Sequence, residues 1–524
     1  MEIIPNSEAE ETLWDIVVVG TGMGGSSVGH RLSEHGHRVL FLEMGRNDFP
    51  GAGAKSFEKE TAEERLEAGL WPAQISGNVD GHYSQFFAPI GSGSGGSTLL
   101  YAAALERFER CDFESVADNR HPTGGWPVRY DEFLPYYQQA EALFKVRGEG
   151  IEGSENNQHL LSLPRMSECD EHFFSSLQAR GYSPRRLHVG MEYKPDCTEC
   201  LGHICQRQCK SDSRTICLEP ALRGGNAALL DQCKVTRLNA DSRKVNFVEC
   251  EREGVALKIR ARIVILSAGA YFSPTILLQS NNSAWPDGLA NRSGMVGRNL
   301  MFHISDFVAI WPNGKYSRSG PKKSMAVRDF YYHGGQRLGM FQSTGLGADY
   351  GNIVYVLKNR FDRSRFSWIK PVRPFLRVPA YIASKLYGKA SIFATVMEDY
   401  PYQENRIIAD EKEPSGFRFE YTIHDELQQR TEHFRTLLRE AFSTHKVMFM
   451  GEDVSLNFGH PCGTCRFGER AEDSVLNKDN RAHDVENLYV VDSSFMPTSA
   501  GVNPSLTIAA NALRVADKIH QRLA

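Results

Sequence analysis

The stretch from Asp15 to Glu43 limits what this chain can fold into more than any other. It reads DIVVVG, then TGMGGSSVGHRLSEHG, then, after one histidine, RVLFLE. The two apolar runs are strand-length and uninterrupted, the pattern of strands buried on both faces of a parallel sheet. The segment between them predicts a helix, so the unit is strand, helix, strand. Gly20, Gly22 and Gly25 stand at GxGxxG spacing, and Glu43 closes the second strand 23 residues after Gly20. In a dinucleotide fold the first glycine permits a tight turn, the second lets backbone approach a pyrophosphate, and the third lets helix pack on strand. The helix N-terminus then faces the phosphates, and the acid accepts from a ribose hydroxyl. A glycine-rich loop alone is more often only a turn; with every part of the unit in place, the reading is a nucleotide-binding sheet.

A second match, Gly91, Gly93 and Gly96 in GSGSGGSTLLYAAALERF, has no following strand that ends in an acid. It predicts a glycine-rich loop passing close to a ligand, with Ser94, Ser97 and Thr98 offering hydroxyls and amides. A plain flexible loop has the same composition, and this segment alone does not choose between the two.

The remaining length allows about three domains at roughly 150 residues each, or one large α/β unit with inserted pieces. The 60 Lys and Arg against 64 Asp and Glu leave a net charge of −4. That balance gives no global footprint for nucleic acid or an anionic membrane. The start, MEIIPNSEAEETLW, has no basic segment followed by an apolar one, and no run approaches the roughly 18 apolar residues of a membrane span, so a cytoplasmic protein is expected. Eleven cysteines without a signal segment predict reduced thiols rather than a disulfide scaffold. Cys197, Cys200, Cys205 and Cys209 begin with a CxxC that suits zinc or an iron–sulfur cluster. The gaps that follow match no standard pattern, so buried thiols or a local disulfide are preferred and no metal site is assigned.

Further along, GWPVRYDEFLPYYQQAEALF from Gly125 predicts an amphipathic helix, and ARIVILSAG at 261–269 a buried strand, with a helix starting near Ser273 and Pro274. DFVAIW, GMFQST, NIVYVL, SIFATVME, NRIIAD and FRFEYTI, between 304 and 447, are strand-like runs separated by turn residues; the helix HDELQQRTEHFRTLLREAF follows them. An antiparallel substrate-facing domain is expected there. Residues 360–389 hold eight Lys or Arg, one acid (Asp362) and six aromatics. The preferred reading is a solvated, Pro-rich loop over the substrate entrance; the sharper one is weak contact with a membrane or another anionic partner.

The C-terminal block contains FGHPCGTCRFG from Phe458 and then NLYVVDSSFMPTSAGVNPSLTIAANALRVADKI. LYVVD predicts a strand. Asn503 serves as an N-cap with Pro504 at the first helical position, and Leu506, Ala509, Leu513, Ala516 and Ile519 form one apolar face. His460 is open to two readings, a satisfied core histidine or a catalytic one.

These segments together resemble the glucose-methanol-choline (GMC) flavin oxidoreductases, nearest the cholesterol-oxidase-type and long-chain-alcohol branches. The similarity rests on GTGMGG, GSGSGGST, GAYFSPTILLQS at 269–280, VGRNLMFH at 296–303 and the HPCGTCRFG to NALRVAD block. It implies an α/β fold with a Rossmann-like FAD-binding domain on a parallel sheet, interleaved with a substrate domain of antiparallel sheet plus helices. The corresponding division is 1–125, 191–303 and 448–524 for the FAD side, with a helical substrate-side segment at 126–190 and a substrate domain at 304–447. The resemblance assigns catalysis to His460 and Asn503. It assigns cofactor contact to Gly20, Gly22, Met23, Gly24, Gly25, Glu43, Gly91, Gly93, Ser94, Gly96, Ser97, Thr98, Val235, Ala268, Gly269, Asp492, Asn503, Pro504 and Ser505.

The pattern departs from the family at three places. Tyr101 stands where the family loop usually carries Asn. Leu100 matches the position of the histidine that attaches flavin covalently in some members, so the resemblance implies non-covalent FAD. Asn281 and Asn282 end the match of the second motif and predict a loop of different shape. The implied activity is oxidation of an alcohol by hydride transfer to flavin N5. His460 acts as base, Asn503 holds the substrate oxygen, and oxygen or another acceptor takes the electrons. The alternatives are a flavin-containing lyase of the same family, or a dehydrogenase of a sugar or aminoglycoside hydroxyl in secondary metabolism.

Overall fold

The computed structural model describes residues 3–53, 59, 61–116, 119–150, 159–195, 197, 199–346, 350–451 and 453–524. Its central layer is a sheet whose strands come from three distant parts of the chain. Ala227–Leu230, Val39–Leu42, Leu13–Val19, the second half of Val255–Leu266, and Leu488–Val490 lie side by side in that order, all parallel. Ile16 sits opposite both Val39 and Ile263, and Leu488 opposite Val264. The first half of Val255–Leu266 pairs antiparallel with Val245–Arg252, which pairs with Cys233–Ala240.

Alternation along the strands decides what covers each face. Ile16, Val18, Phe41, Ile263 and Ile265 pack beneath Val28 and Leu32 of the helix Met23–Glu34 and Val515, Ala516 and Ile519 of the helix Ser505–Leu523. Val17, Val19, Leu40, Leu42, Val264 and Leu266 face the larger core that holds Phe133 and Tyr137 of the helix Tyr130–Leu143. The predicted apolar face Leu506, Ala509, Leu513, Ala516 and Ile519 is buried throughout.

A second, eight-stranded sheet is antiparallel. It runs Lys446–Phe449, Phe307–Trp311, Ser391–Met397, Gly339–Ser343, Met325–Val327 and Arg185–Arg186. Met301–Ile304 joins it through Ser391–Met397 and pairs with Leu456–Cys462 on its other side. The helix Asp425–Ala441 covers the sheet with Leu427, Phe434 and Leu438 against Ile310, Phe341 and Phe393. Arg406–Ala409, Phe417–Tyr421, Ile75–Val79 and His82–Phe86 form a third sheet.

Two expectations fail here. NIVYVL lies in a helix, Tyr350–Asp362. Ile353 and Leu357, one helical turn apart, pack against Ala309, Ile392 and Ala380, so burial at helical spacing prevails over the strand propensity of the run. Residues 360–389 are not an irregular loop: a 3-10 turn, Lys370–Leu376, leads into the helix Arg377–Tyr387. Among the described residues all eleven cysteines are free, and no three His, Cys, Asp or Glu side chains converge as a metal site. No helix among them is long and apolar enough to cross a membrane.

A buried ionic cluster ties the layers together. Arg337 donates to Asp112 at 2.7 Å, to Glu398 at 2.6 Å and to Asn119 at 2.9 Å. The Tyr331 hydroxyl donates to Asp112 at 2.5 Å and accepts from the Gly501 amide at 3.0 Å. Burial pushes the Asp112 carboxyl up to about 7 despite Arg337. Removing one partner of such a cluster strands a charge in low dielectric. Arg337→Met is therefore expected to cost about 3–5 kcal/mol of stability, measured as a shift in urea unfolding.

Candidate functional site

The carboxyl ends of the parallel strands open onto one cavity of about 1110 Å³. That exceeds the volume range of about 300–1,000 Å³ typical of drug-sized ligands and leaves room for more than one. The first glycine loop forms one end. Gly20 has φ +94°, and a Cβ there would lie 2.4 Å from the Ser267 carbonyl oxygen; a Cβ on Gly25 would lie 2.0 Å from that of Gly20. These two glycines serve backbone packing. Gly22 is different, because nothing lies within 4 Å of its Cβ position. It flanks the N-terminus of Met23–Glu34, which has no side-chain cap, and Gly22, Met23 and Gly24 all line the cavity. A helix start without a cap, facing a cavity through glycine, suits an anion such as a pyrophosphate.

The second glycine segment packs against the first. Gly96 approaches Gly22 so closely that a Cβ would meet the Gly22 Cα at 2.8 Å. Gly96–Leu99 is a 3-10 turn, and Gly91, Gly96, Ser97 and Thr98 line the cavity. This segment thus forms part of the cavity wall. Gly25, Gly93 and Ser94 do not reach the lining, although the Ser94 hydroxyl is buried without a partner.

Glu43 lines the cavity, but its carboxylate is engaged from within the protein. It accepts from the Thr21 amide and hydroxyl at 3.1 and 2.6 Å, and from the Gly45 and Gly93 amides at 2.9 and 3.0 Å. Burial raises its pKa against these hydrogen bonds. The residue thus ties both glycine segments to the strand end, and a ribose hydroxyl would have to share or replace a donor such as Thr21. Asp492 is similar: it accepts from the Gly269 amide at 2.9 Å and the Ser273 hydroxyl at 2.5 Å, which fixes the turn after Val255–Leu266. Val235, Ala268, Gly269, Pro504 and Ser505 complete this side of the lining.

His460 and Asn503 both line the cavity, so the structure brings together the two residues proposed for catalysis. His460 lies on Leu456–Cys462 where the ladder with Met301–Ile304 breaks. Met301 pairs with Cys462 and His303 with Asn457, so the longer strand bulges over Phe458–Pro461. Such bulges re-aim a side chain. His460 Nδ1 lies 3.2 Å from His303 Nδ1. His303 Nε2 faces two carbonyl oxygens, those of Ser499 and Ala500, both at 3.1 Å, so it carries the proton and donates. His303 Nδ1 must then accept, His460 Nδ1 must donate to it, and His460 Nε2 is left with a free lone pair. Burial lowers the His460 pKa to about 4 and that of His303 to about 3, so both are neutral near pH 7.

Asn503 departs from one expectation. The terminal helix begins at Ser505, preceded by Pro504 in helical conformation, and no side chain caps it. The Asn503 carbonyl oxygen Oδ1 is buried without a partner. The side chain is therefore free of the capping role and available to a ligand.

The GMC oxidoreductase profile matches residues 14–305 with its N-terminal part and 401–512 with its C-terminal part. The chain belongs to the GMC oxidoreductase family. It is 29% identical to paromamine 6'-oxidase of Streptomyces fradiae over 97% of this chain and 92% of that protein. It is 25% identical to 2-methyl-1,2-propanediol dehydrogenase of Mycolicibacterium austroafricanum over 98% and 96%. The crystal structure of pyridoxine 4-oxidase from Mesorbium loti shares the fold, with TM-score 0.64 and 19% identity over 97% of this chain and 99% of that one.

Two further side chains that the sequence did not single out, His303 and Lys323, and one that it did, Tyr101, lie at His460 or in the cavity wall. His303 lies in the VGRNLMFH motif, and only the fold brings it against His460. Tyr101, which replaces the family's Asn, lines the cavity and donates to the Ser211 carbonyl at 2.5 Å. Lys323 is buried in the cavity wall, where it donates to the Ala102 carbonyl at 2.6 Å, and burial lowers its pKa to about 8. A lysine in a polar strand-flanking run, KKSMAV, carries no sequence signal for this.

The histidine values set a pH dependence. A His with folded pKa below its unfolded value of about 6.5 contributes stability that is present above about pH 6.5 and lost as pH falls, because the unfolded state binds the proton first. In His460→Gln the loss of stability between pH 6.5 and 4 should be shallower than in the wild-type enzyme by about one proton, or about 1.4 kcal/mol per pH unit. Urea unfolding of both proteins across that range measures it.

Proposed function

We propose that this GMC oxidoreductase oxidises an alcohol to an aldehyde or ketone, with His460 as the base, Asn503 as the holder of the substrate oxygen, and non-covalent FAD as cofactor. The observation that carries the reading is the free Nε2 lone pair of His460, held by His303 in the same cavity as the unpartnered Asn503 Oδ1. The residues present fit a dinucleotide. Gly22 leaves open space at an uncapped helix start, the two glycine segments form one cradle, and Leu100, buried at 6% exposure, offers no nucleophile for a covalent link.

When bound, FAD supplies an acceptor for the hydride of the carbinol carbon. The protein does the rest. His460 Nε2 takes the hydroxyl proton, and the resulting imidazolium keeps its Nδ1 proton on His303. Asn503 offers its side chain to the substrate oxygen, and rotation of the amide presents either group. The N-terminus of Ser505–Leu523 places about half a positive unit charge at the cavity beside Ser505.

Charge in the cavity narrows the substrate. The charged lining is Arg65, Lys234, Lys323, Arg360 and Arg363 against Glu43, Asp492 and the exposed Asp453, an excess of cations. An aminoglycoside, the substrate type suggested by the name paromamine 6'-oxidase, carries several ammonium groups and meets like charge here. The reading favours a neutral or acid-bearing alcohol over a polyamine.

Two expected outcomes test this. His460→Ala retains bound flavin but slows its anaerobic bleaching by alcohol at least ~10²-fold, seen by stopped-flow absorbance; bleaching at the wild-type rate would remove His460 as base. Across an alcohol panel, neutral and carboxylate-bearing substrates bleach the flavin faster than polyamine sugars, and Lys323→Met narrows the difference. A flavin that no alcohol bleaches would favour the lyase alternative.

A further inference from the structure

The helical segment at Arg363–Lys389 is built with its apolar side outward. Helix Arg377–Tyr387 carries Val378, Tyr381, Ile382 and Leu386 at helical spacing, and they are 61, 58, 56 and 67% exposed. Its inner side is small: Ala380 is fully buried and packs with Ile353, Ala309 and Ile392, with Ala383 beside it. A helix that folds against a domain to bury its own apolar stripe would have the opposite polarity. Phe366, Trp368 and Phe375, in the stretch just before this helix, are 63, 75 and 71% exposed. Seven exposed large apolar side chains within one short stretch of chain are more than an ordinary monomer surface carries.

Charge selects the occupant. Residues 363–389 contain seven Lys or Arg and no acid. Arg365, Lys370, Arg377, Lys385 and Lys389 are exposed beside the apolar side chains. Exposed cations interleaved with Trp, Phe and Tyr match a bilayer interface, where aromatic rings sit at headgroup depth and ammonium and guanidinium groups meet phosphates. A second copy of this chain would set these cations against one another. We propose that this segment docks the enzyme on an anionic lipid surface. The segment packs on the helix Tyr350–Asp362, whose Val356, Asn359 and Arg360 line the cavity, so docking brings that wall of the cavity close to the bilayer.

The test is flotation of the full-length protein with phosphatidylcholine vesicles with and without phosphatidylglycerol. Wild-type protein should float with the anionic vesicles at low salt and not with the neutral ones, and should be released at about 1 M salt, where the Debye length is about 3 Å. Trp368→Ser/Phe375→Ser/Leu386→Ser should lower the partition coefficient at least about tenfold, and Arg377→Gln/Lys385→Gln about fivefold per cation. All these positions are exposed, so the variants should keep the wild-type circular dichroism and unfolding midpoint. Absence of wild-type binding to anionic vesicles at low salt overturns the proposal. So does binding unchanged by the triple serine variant, or a wild-type dimer that this variant makes monomeric.

Discussion

The parallel pairing of Leu13–Val19 with Val255–Leu266, and of that strand with Leu488–Val490, is the constraint on which the rest depends. It closes loops of more than two hundred residues on each side, and such non-local pairing repays its closure entropy only when all three strands are buried together. Once formed, it aligns three strand ends. The first carries Gly20 and Gly22, the second Gly269, and the third Asp492 with the loop to Asn503. Ligand sites of open α/β sheets lie at the carboxyl ends of the strands for this reason. The hydrogen bonds of Glu43 to the two glycine segments and of Asp492 to Gly269 then fix those ends against one another.

The antiparallel sheet supplies the other half of the site through a single break in its ladder. Regular pairing would leave His460 in register with its neighbour strand; the bulge over Phe458–Pro461 moves it into the cavity instead. The loop that follows Leu488–Val490 is fixed by the same layer. Ala500 adopts φ +58°, and its carbonyl, with that of Ser499, accepts from His303. The Gly501 amide donates to Tyr331, which donates to Asp112 in the Arg337 cluster. A buried ionic cluster thus reaches the loop before Asn503 through one tyrosine. The orientation of His460 follows from backbone carbonyls rather than from a carboxylate, which keeps the imidazole pair neutral.

Much of the fold was legible because its strongest signals are local. The Asp15–Glu43 unit, the strand at 261–266 and the terminal helix follow from periodicity and glycine spacing. Five of the six strand-like runs between 304 and 447, FRFEYTI among them, reach their sheets almost unshifted. NIVYVL was misread because β-branched residues in a short run suit either state, and only the partners Ala309, Ala380 and Ile392 decide. Asn503 was misread as a cap because Asn before Pro fits that role by composition; the positions of Pro504 and the cavity decided otherwise. The 360–389 segment was visible as basic and aromatic, but whether its apolar residues point inward or outward is a property of packing.

By itself, the sequence determined the nucleotide-type sheet and the glycine loops, because each rests on residue types whose chemistry is fixed at short range, whereas His460 and Asn503 were marked only by resemblance to a family. The tertiary structure decided which nitrogen of His460 is free, that Asn503 leaves its oxygen unpartnered, that Lys323 puts a cation in the cavity wall, and that one helix turns its apolar side to solvent. Those properties arise from side chains far apart in the chain meeting in one place, with burial and hydrogen bonding setting their protonation. No spacing along the sequence encodes that meeting directly.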